Sequence, residues 1–208
     1  MRSLQLAGGD PQRRKGREDL ITMADIENIT KELNQVADAA KEAFGSLSSG
    51  QLNWKASEKS WSVAQCFDHL IVAHSLYFPL FERFAAGPVR MSWWENYSPL
   101  SGFFGRFLMK GLDPDNLKPM KTTSRAYPSS SEIGGDIIER FCEHQNEMIA
   151  ALQALPAYID GAKTIITSPL LGFVTYSLSD TLTILPNHCR RHFNQARNVA
   201  EMEGFPKT

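Results

Sequence analysis

The stretch Ser62-Val63-Ala64-Gln65-Cys66-Phe67-Asp68-His69-Leu70 marks the start of a long amphipathic helix. Ser62 and Gln65 have the spacing of a capping box, in which the serine hydroxyl and the glutamine amide satisfy backbone N–H groups of the first turn. Apolar residues then recur at helical spacing as far as Phe84, and Gly87-Pro88 ends the pattern. The sequence therefore predicts one helix from Ser62 to just before Gly87.

Three further segments show the same amphipathic spacing. A capping box at Ser129 and Glu132 marks the beginning of one of them, and Pro186 should kink another just before His188. Four long amphipathic helices without convincing strands predict an all-α four-helix bundle. The additional helices are predicted from Met23 to Gly45, from about Ser131 to Leu155, and from about Asp180 to Glu203.

A long aromatic loop, residues 88–130, separates the second and third predicted helices. Its tryptophans, Trp93 and Trp94, make the loop too apolar for disorder, and residues 103–110 are expected to form a short helix. We expect the loop to cover the end of the bundle that carries the histidines of the second and fourth predicted helices, and to shape a pocket there. The alternatives are that it plugs the end of the bundle, forms a dimer contact or binds a membrane surface; the presence of only two basic residues, Arg106 and Lys110, in the aromatic part of the loop argues against the last.

Length and composition exclude several classes of protein. The chain has 208 residues, of which 42% are hydrophobic and 22% are charged, so a largely disordered protein is excluded. The net charge of -1 provides no general attraction for nucleic acid, and no apolar run approaches the length of a membrane span. Three scattered cysteines indicate reduced thiols. We therefore predict a cytoplasmic protein with neither nucleic acid nor a membrane as its partner.

The first 22 residues differ from the rest of the chain, because they contain the basic run Arg13-Arg14-Lys15-Gly16-Arg17. No apolar segment follows the charges, so the segment is not a secretory signal. We predict a disordered N-terminal extension over residues 1–22 and one helical domain over residues 23–208. An upstream start codon used in place of Met23, or a nucleic-acid-binding arm, are the alternatives.

Two of the five histidines are four residues apart, in His188-Cys-Arg-Arg-His192. On a helix, their Cβ atoms lie about 5–6 Å apart, so both imidazoles could bind one metal ion. His69 is the best candidate for a third ligand, since it lies at the edge of the apolar stripe of the second helix. His74 points about 140° away from His69 and, like His144, is either a core histidine or a pocket residue. The alternative for the pair itself is simple packing.

Several motifs together resemble the DinB-like superfamily over residues 24–206. They are Trp61-Ser62, Cys66-Phe67-Asp68-His69-Leu70, and His188-Cys-Arg-Arg-His192-Phe-Asn-Gln195-Ala-Arg197. The resemblance implies a bundle of up-down-down-up topology that is often dimeric. It also implies a divalent metal ion bound by three histidines, which fall here on His69, His188 and His192.

The resemblance also implies a range of activities. The superfamily is similar to bacillithiol- and mycothiol-dependent S-transferases and to a thiol-dependent maleylpyruvate isomerase. We therefore expect a homodimeric, metal-dependent thiol S-transferase or hydrolase that acts on a small molecule, with a low-molecular-weight thiol as a second partner. Imidazole ligands suit Zn or Ni, with Fe as an alternative. The competing hypothesis is a non-enzymatic, stress-related binding or scaffold bundle, with a structural or inactive metal site.

Other side chains are expected to surround this site. Gln195 follows His192 by three residues and could orient its ring by a hydrogen bond. His74, Trp93 and Trp94 are the remaining candidates for side chains that contact the ligands or line the pocket.

Polar and thiol side chains near the histidines have simpler interpretations. Arg190 and Arg191 are expected on a solvated face, with recognition of an anionic substrate as the alternative. Asp68 and Asp180 are expected at the surface or in a cap, with a role as general base as the alternative. Cys66 and Cys189 are expected to be small buried residues, with zinc ligation as the alternative.

Overall fold

The computed structural model describes residues 20–88, 90–99, 101–112 and 122–207. Over these ranges the chain is mainly helical, which confirms the predicted class, and none of its helices has the length and apolar character needed to cross a bilayer. The α-helices are α1 (Met23–Phe44), α2 (Ser49–Asn53), α3 (Val63–Ser75), α4 (Phe78–Ala85), α5 (Trp93–Tyr97), α6 (Ser101–Gly111), α7 (Ile137–Gln153) and α8 (Leu178–Ala200). A 3₁₀ helix spans Ser124–Ala126, and the strands are β1 (Ile165–Thr167) and β2 (Thr175–Ser177).

The helices that carry the candidate ligands begin at capping boxes. Ser62 caps α3, where its hydroxyl accepts a hydrogen bond from the Gln65 backbone N–H, as the sequence predicts. Ser177 caps α8 in the same way, with Asp180 as its partner. These caps satisfy backbone donors that the helix itself leaves unpaired, so they fix the residue at which each helix starts.

Four long helices share one apolar core. Helices α1 and α3 each pack against both α7 and α8. At the centre, Phe67 of α3 is fully buried, and its ring centroid lies 5.5 Å from that of Phe44 in α1 and 4.9 Å from that of Phe141 in α7. Phe193 of α8 completes the group, with its ring centroid 5.7 Å from that of Phe44. Each of the four helices thus contributes one ring to the same cluster.

The single helix predicted from Ser62 to Gly87 is wrong, because the chain forms two helices there. Helix α3 ends at Ser75 and α4 begins at Phe78, with Pro79 in its first turn. A proline has no backbone N–H, and its ring would clash with the carbonyl four residues earlier, that of Ser75. The break therefore falls just before Pro79, although the apolar stripe continues through it.

The predicted start of the third long helix is also wrong. Helix α7 begins at Ile137, and its N-cap, Asp136, makes no capping hydrogen bond. Ser129 does not cap a helix, because its backbone N–H and its hydroxyl both donate to Asp68, at 2.6 and 3.0 Å. Gly134 and Gly135 raise the free energy of a helical first turn, and the helix starts beyond them.

The irregular segments contain more structure than the sequence suggests. Strands β1 and β2 pair antiparallel with Ile165 opposite Ser177, and β2 leads directly into α8. The expected short helix at residues 103–110 is present as α6, which packs on β2 and α8, whereas α5 packs on β1. The loop between α4 and α7 is therefore attached to the hairpin that precedes α8.

Residues 20–22 differ from the expected disordered extension. The Ile21 backbone N–H donates to the Ile159 carbonyl at 3.1 Å, and the Ile21 side chain is 5% exposed. Thr22 is the N-cap of α1. The remaining part of the predicted extension, residues 1–19, lies outside the described residues.

Candidate metal centre

Two helices bring three histidines together in the core. His69 projects from α3, and His188 and His192 project from successive turns of α8. One ring nitrogen from each could bind the same ion, since these atoms lie within 4.8 Å of one another. The ring centroid of His192 lies 4.5 Å from that of His69 and 4.7 Å from that of His188. The structure thus brings together the three residues that the family resemblance implied as ligands.

The spacing of two ligand atoms fits a transition metal ion. The Nε2 atoms of His69 and His188 are 3.1 Å apart. With metal–nitrogen bonds of about 2.0–2.1 Å, two nitrogens on neighbouring coordination positions lie about 2.9 Å apart at a right angle and about 3.3 Å apart at the tetrahedral angle. The observed distance falls between these values, so both rings suit one ion without movement of their helices.

The protonation state of the cluster also suits a metal. Burial lowers the pKa of all three imidazoles. Neighbouring histidines and Arg191 lower the pKa of His188 and His192 further, since a second positive charge nearby is unfavourable. The three rings are therefore neutral at pH 7, and only the neutral ring has a lone pair that can bind a metal ion.

His69 is held in one orientation by a backbone carbonyl. Its Nδ1 lies within hydrogen-bond distance of the carbonyl oxygen of Ala126, the last residue of the 3₁₀ helix. A carbonyl oxygen only accepts, so Nδ1 must carry the hydrogen and Nε2 must be the lone-pair nitrogen. Histidines that bind metals commonly donate their other N–H in this way. No residue type in the sequence signals this contact, because the acceptor is a backbone atom.

Asp68 anchors the segment that carries this carbonyl. Its side chain is 1% exposed and accepts the two hydrogen bonds from Ser129 described above. One turn earlier, the Gln65 amide donates to the Ser130 carbonyl at 3.1 Å. The expectation of a surface or capping role for Asp68 is therefore wrong. Its carboxyl group is buried and hydrogen-bonded to Ser129, and it holds the segment that includes Ala126 against α3.

His74 contacts the opposite side of His188 from His69. Its Nε2 lies 3.0 Å from Nδ1 of His188, and its side chain is 1% exposed. The thiol of Cys189 lies 3.9 Å from Nδ1 of His74 and 3.7 Å from Oε1 of Gln145. The fifth histidine, His144, contacts a different partner, since its Nε2 lies 3.1 Å from the Ser75 hydroxyl.

An aromatic ring forms one wall of the cluster. Trp61, which is half-buried, stacks on His192 with a centroid distance of 5.8 Å and an interplanar angle of 24°. It also lies 4.9 Å from the ring of His69. In the sequence analysis, Trp61 was identified only as part of a motif. Its position before the Ser62 cap of α3 places it beside two of the three candidate ligands.

The other side chains that were expected to contact the candidate ligands or to line a pocket differ in their contacts. Gln195 is half-buried, and its side chain raises the pKa of His192, although Nδ1 of His192 has no hydrogen-bond partner in the described part of the chain. Trp93 is 72% exposed and packs near Tyr97, and Trp94 donates to the Phe173 carbonyl at 3.2 Å. A pocket role for these two tryptophans stays a prediction.

The two arginines of α8 occupy different environments. Arg190 forms an ion pair with Glu32 of α1 at 3.0 Å, with both side chains 38% exposed, as expected for a solvated face. Arg191 is only 9% exposed and lowers the pKa of both His188 and His192, so its expected place on a solvated face is wrong. A buried guanidinium thus contributes positive potential near the histidines.

The cysteines near the histidines are neutral, buried thiols. Cys66 and Cys189 are fully buried, and burial raises the pKa of both. Among the described residues, the cluster whose atoms could share one ion contains the three histidines and neither cysteine. Packing in the core is therefore the role that the structure supports for Cys66, whereas Cys189 also contacts His74.

Comparison with known proteins gives one match. The sequence model of the DinB superfamily matches residues 32–196, which is well over half of the chain and includes all three histidines. No curated protein and no solved structure matches.

Proposed function

The chain belongs to the DinB superfamily, and from this premise we propose that it is a metal-dependent enzyme acting on a small molecule. His69, His188 and His192 would bind one divalent ion. The observation that carries the proposal is the set of three buried, neutral imidazoles, with Nε2 of His69 and Nε2 of His188 3.1 Å apart. The four long helices are proposed to form the up-down-down-up bundle of the family, and the protein to form a homodimer in the cytoplasm.

A divalent ion on three neutral ligands keeps its full charge, so it would lower the pKa of a water molecule or thiol in a remaining coordination position. Such a nucleophile suits transfer of a thiol to an electrophilic carbon, or hydrolysis of an ester or amide. Imidazole ligands suit Zn, Ni, Fe and Cu, and we propose Zn or Ni, with Fe as the alternative.

The protein's own residues supply orientation and exclusion of solvent. The Ala126 carbonyl holds the ring of His69 so that Nε2 faces His188. Asp68 and Gln65 hold the segment that carries Ala126, and Trp61 covers one side of the cluster. Because each candidate ligand is at most 7% exposed, the site suits a small substrate rather than a macromolecule.

The position of Arg191 supports a preference for negative charge at the site. Arg191 is 9% exposed, and its charge adds to the effect of burial and of the neighbouring histidines in lowering the pKa of His188 and His192. The same potential would stabilise a thiolate beside the metal ion or an anionic group on the substrate.

The test measures turnover rather than binding alone. The untagged protein loaded with Zn²⁺ or Ni²⁺ is assayed with a panel of low-molecular-weight thiols and monochlorobimane, and in parallel with ester and amide substrates. We expect turnover that requires the metal and that His188→Ala abolishes while the helical circular dichroism remains. The matched control is His144→Ala, which removes a buried histidine outside the cluster and should keep most of the activity.

Two outcomes would count against the proposal. If His188→Ala retained the wild-type rate, the assignment of the site would be wrong. A protein that binds metal in the cluster but turns over none of the thiols, esters or amides would favour the non-enzymatic alternative.

A further inference from the structure

We propose that His74 is a positioning residue for the metal centre. A chain of buried side chains, which we call the relay, runs from His188 through His74 and Cys189 to Gln145. The hydrogen bonds of the relay reverse direction when His188 binds a metal ion. The inference rests on the proposed metal-binding function. It extends that function to side chains that do not touch the ion.

The direction of the relay in the metal-free protein follows from one carbonyl group. Because the Ala126 carbonyl can only accept, the neutral ring of His69 carries its single hydrogen on Nδ1 and has a bare Nε2. That bare nitrogen lies 3.1 Å from Nε2 of His188. The hydrogen between them must therefore belong to His188, which leaves Nδ1 of His188 as a bare acceptor.

The same reasoning continues along the chain of contacts. Nε2 of His74 lies 3.0 Å from the bare Nδ1 of His188, so His74 must donate with its Nε2–H. Its own Nδ1 is then bare and faces the thiol of Cys189 at 3.9 Å. A thiol carries one hydrogen, and the bare Nδ1 of His74 is an acceptor within its reach, so Cys189 can donate to His74.

Metal binding requires the opposite arrangement. A ligand nitrogen must offer a lone pair, so His188 has to carry its hydrogen on Nδ1 instead of Nε2. His74 must then accept with Nε2 and carry its own hydrogen on Nδ1, towards Cys189. The thiol hydrogen turns to Oε1 of Gln145, which lies 3.7 Å from the sulfur. Each group keeps one hydrogen, so the relay as a whole gains and loses no proton.

Burial makes this relay necessary. His74 is 1% exposed and Gln145 is fully buried, so bulk solvent does not reach them to replace a missing partner. Oε1 of Gln145 lies within hydrogen-bond distance of the Cys189 sulfur as a second possible acceptor, and Nε2 of Gln145 has no partner in the described part of the chain. Without an acceptor at position 74, the N–H of metal-bound His188 would be buried and unpaired, which disfavours the bound state.

Nitrogen NMR of the histidine rings tests the reversal directly. Long-range ¹H–¹⁵N spectra of ¹⁵N-labelled protein distinguish the two neutral tautomers of each ring. In metal-free protein we expect the hydrogen on Nε2 for His188 and His74. After one equivalent of Zn²⁺ we expect it on Nδ1 for both. His144 is the internal control, since its contact with Ser75 lies outside the relay and its tautomer should not change.

Variants at position 74 separate positioning from packing. His74→Leu fills the space without an acceptor and should weaken Zn²⁺ binding roughly 10–100-fold, as measured by competition with a chelator. His74→Gln places an amide near the position of Nε2, where it can donate or accept, and should restore affinity to within a few-fold of wild type. His144→Leu is the matched control and should keep wild-type affinity. Circular dichroism checks that each variant is folded.

The outcomes distinguish the relay from the function on which it rests. Wild-type protein that binds Zn²⁺ with unchanged tautomers at His188 and His74 would overturn the relay alone. Equal affinities for wild type and folded His74→Leu would do the same. Wild-type protein that takes up no Zn²⁺ would overturn the proposed function, and the reversal with it.

Discussion

Replacing His144 with glutamine should remove a measurable part of the protein's sensitivity to acid. His144 is 6% exposed, and burial lowers its pKa from 6.5 to about 4. A glutamine at this position cannot titrate but can still form a hydrogen bond with the Ser75 hydroxyl, which lies 3.1 Å from Nε2 of His144. The variant therefore changes the charge behaviour with little change in packing.

The sign and size of the effect follow from the two pKa values of His144. The unfolded chain binds a proton near pH 6.5, whereas the folded protein does so only near pH 4. The contribution of His144 to the free energy of unfolding is therefore fully present above pH 6.5, and it is lost as the pH decreases towards 4. Since one pKa unit corresponds to 1.36 kcal/mol, the complete loss is about 3 kcal/mol, and the loss between pH 8 and pH 5 is about 2 kcal/mol.

Urea unfolding of the metal-free proteins measures this contribution. The free energy of unfolding is determined at pH 8 and pH 5 for wild type and for His144→Gln. Wild type should lose about 2 kcal/mol more than the variant between the two pH values. His69, His188 and His192 are present in both proteins, so their contributions cancel in the comparison, whereas the pKa of His74 is lowered by burial and also by His144, which adds to the difference between the two proteins. A pH dependence that is the same within about 0.5 kcal/mol would refute the assignment of His144 as a buried neutral base.

Three further results are expected. Asp68→Ala leaves the Ser129 N–H without its acceptor, so it should lower the free energy of unfolding by about 2 kcal/mol. It should also weaken Zn²⁺ binding. If both the free energy of unfolding and the affinity for Zn²⁺ kept their wild-type values, the anchoring role of Asp68 would be contradicted. Cys66 and Cys189 should react with Ellman's reagent only when the protein unfolds, because burial raises the pKa of their thiols; rapid labelling of either in the native protein would disprove this. Phe67→Ala should cost roughly 3–5 kcal/mol in urea unfolding, since the ring is fully buried among aromatic neighbours; a loss below about 1 kcal/mol would show that the cluster is not central.

The features that the sequence predicts well are those with local causes. The cap at Ser62 depends on residues within one turn, and so does the spacing of His188 and His192. The break before Pro79 also had a local signal, the proline itself, but the continuous apolar stripe outweighed it. Local chemistry thus sets where most helices begin, and the period of the apolar residues sets which face is buried.

Features that depend on tertiary contacts were not predictable in this way. The orientation of His69 depends on a backbone carbonyl at Ala126, 57 residues away, and no residue type marks such an acceptor. The residue type of Asp68 predicts exposure to solvent, but Asp68 is buried, because Ser129 in the segment beyond α6 supplies two hydrogen-bond donors to its carboxyl group. Arg191 is buried although its neighbour Arg190 is partly exposed, and helical spacing alone does not separate them.

The metal content of the protein tests the central claim most directly. Untagged protein purified without chelator, and then supplied with Zn²⁺ or Ni²⁺, is analysed for metal beside the His69/His188/His192 triple alanine variant and the His144→Ala control. We predict close to one equivalent of metal per chain in wild type and in the control, and none in the triple variant. Wild type that holds no metal and takes up none, or a triple variant that keeps its full equivalent, would contradict the account.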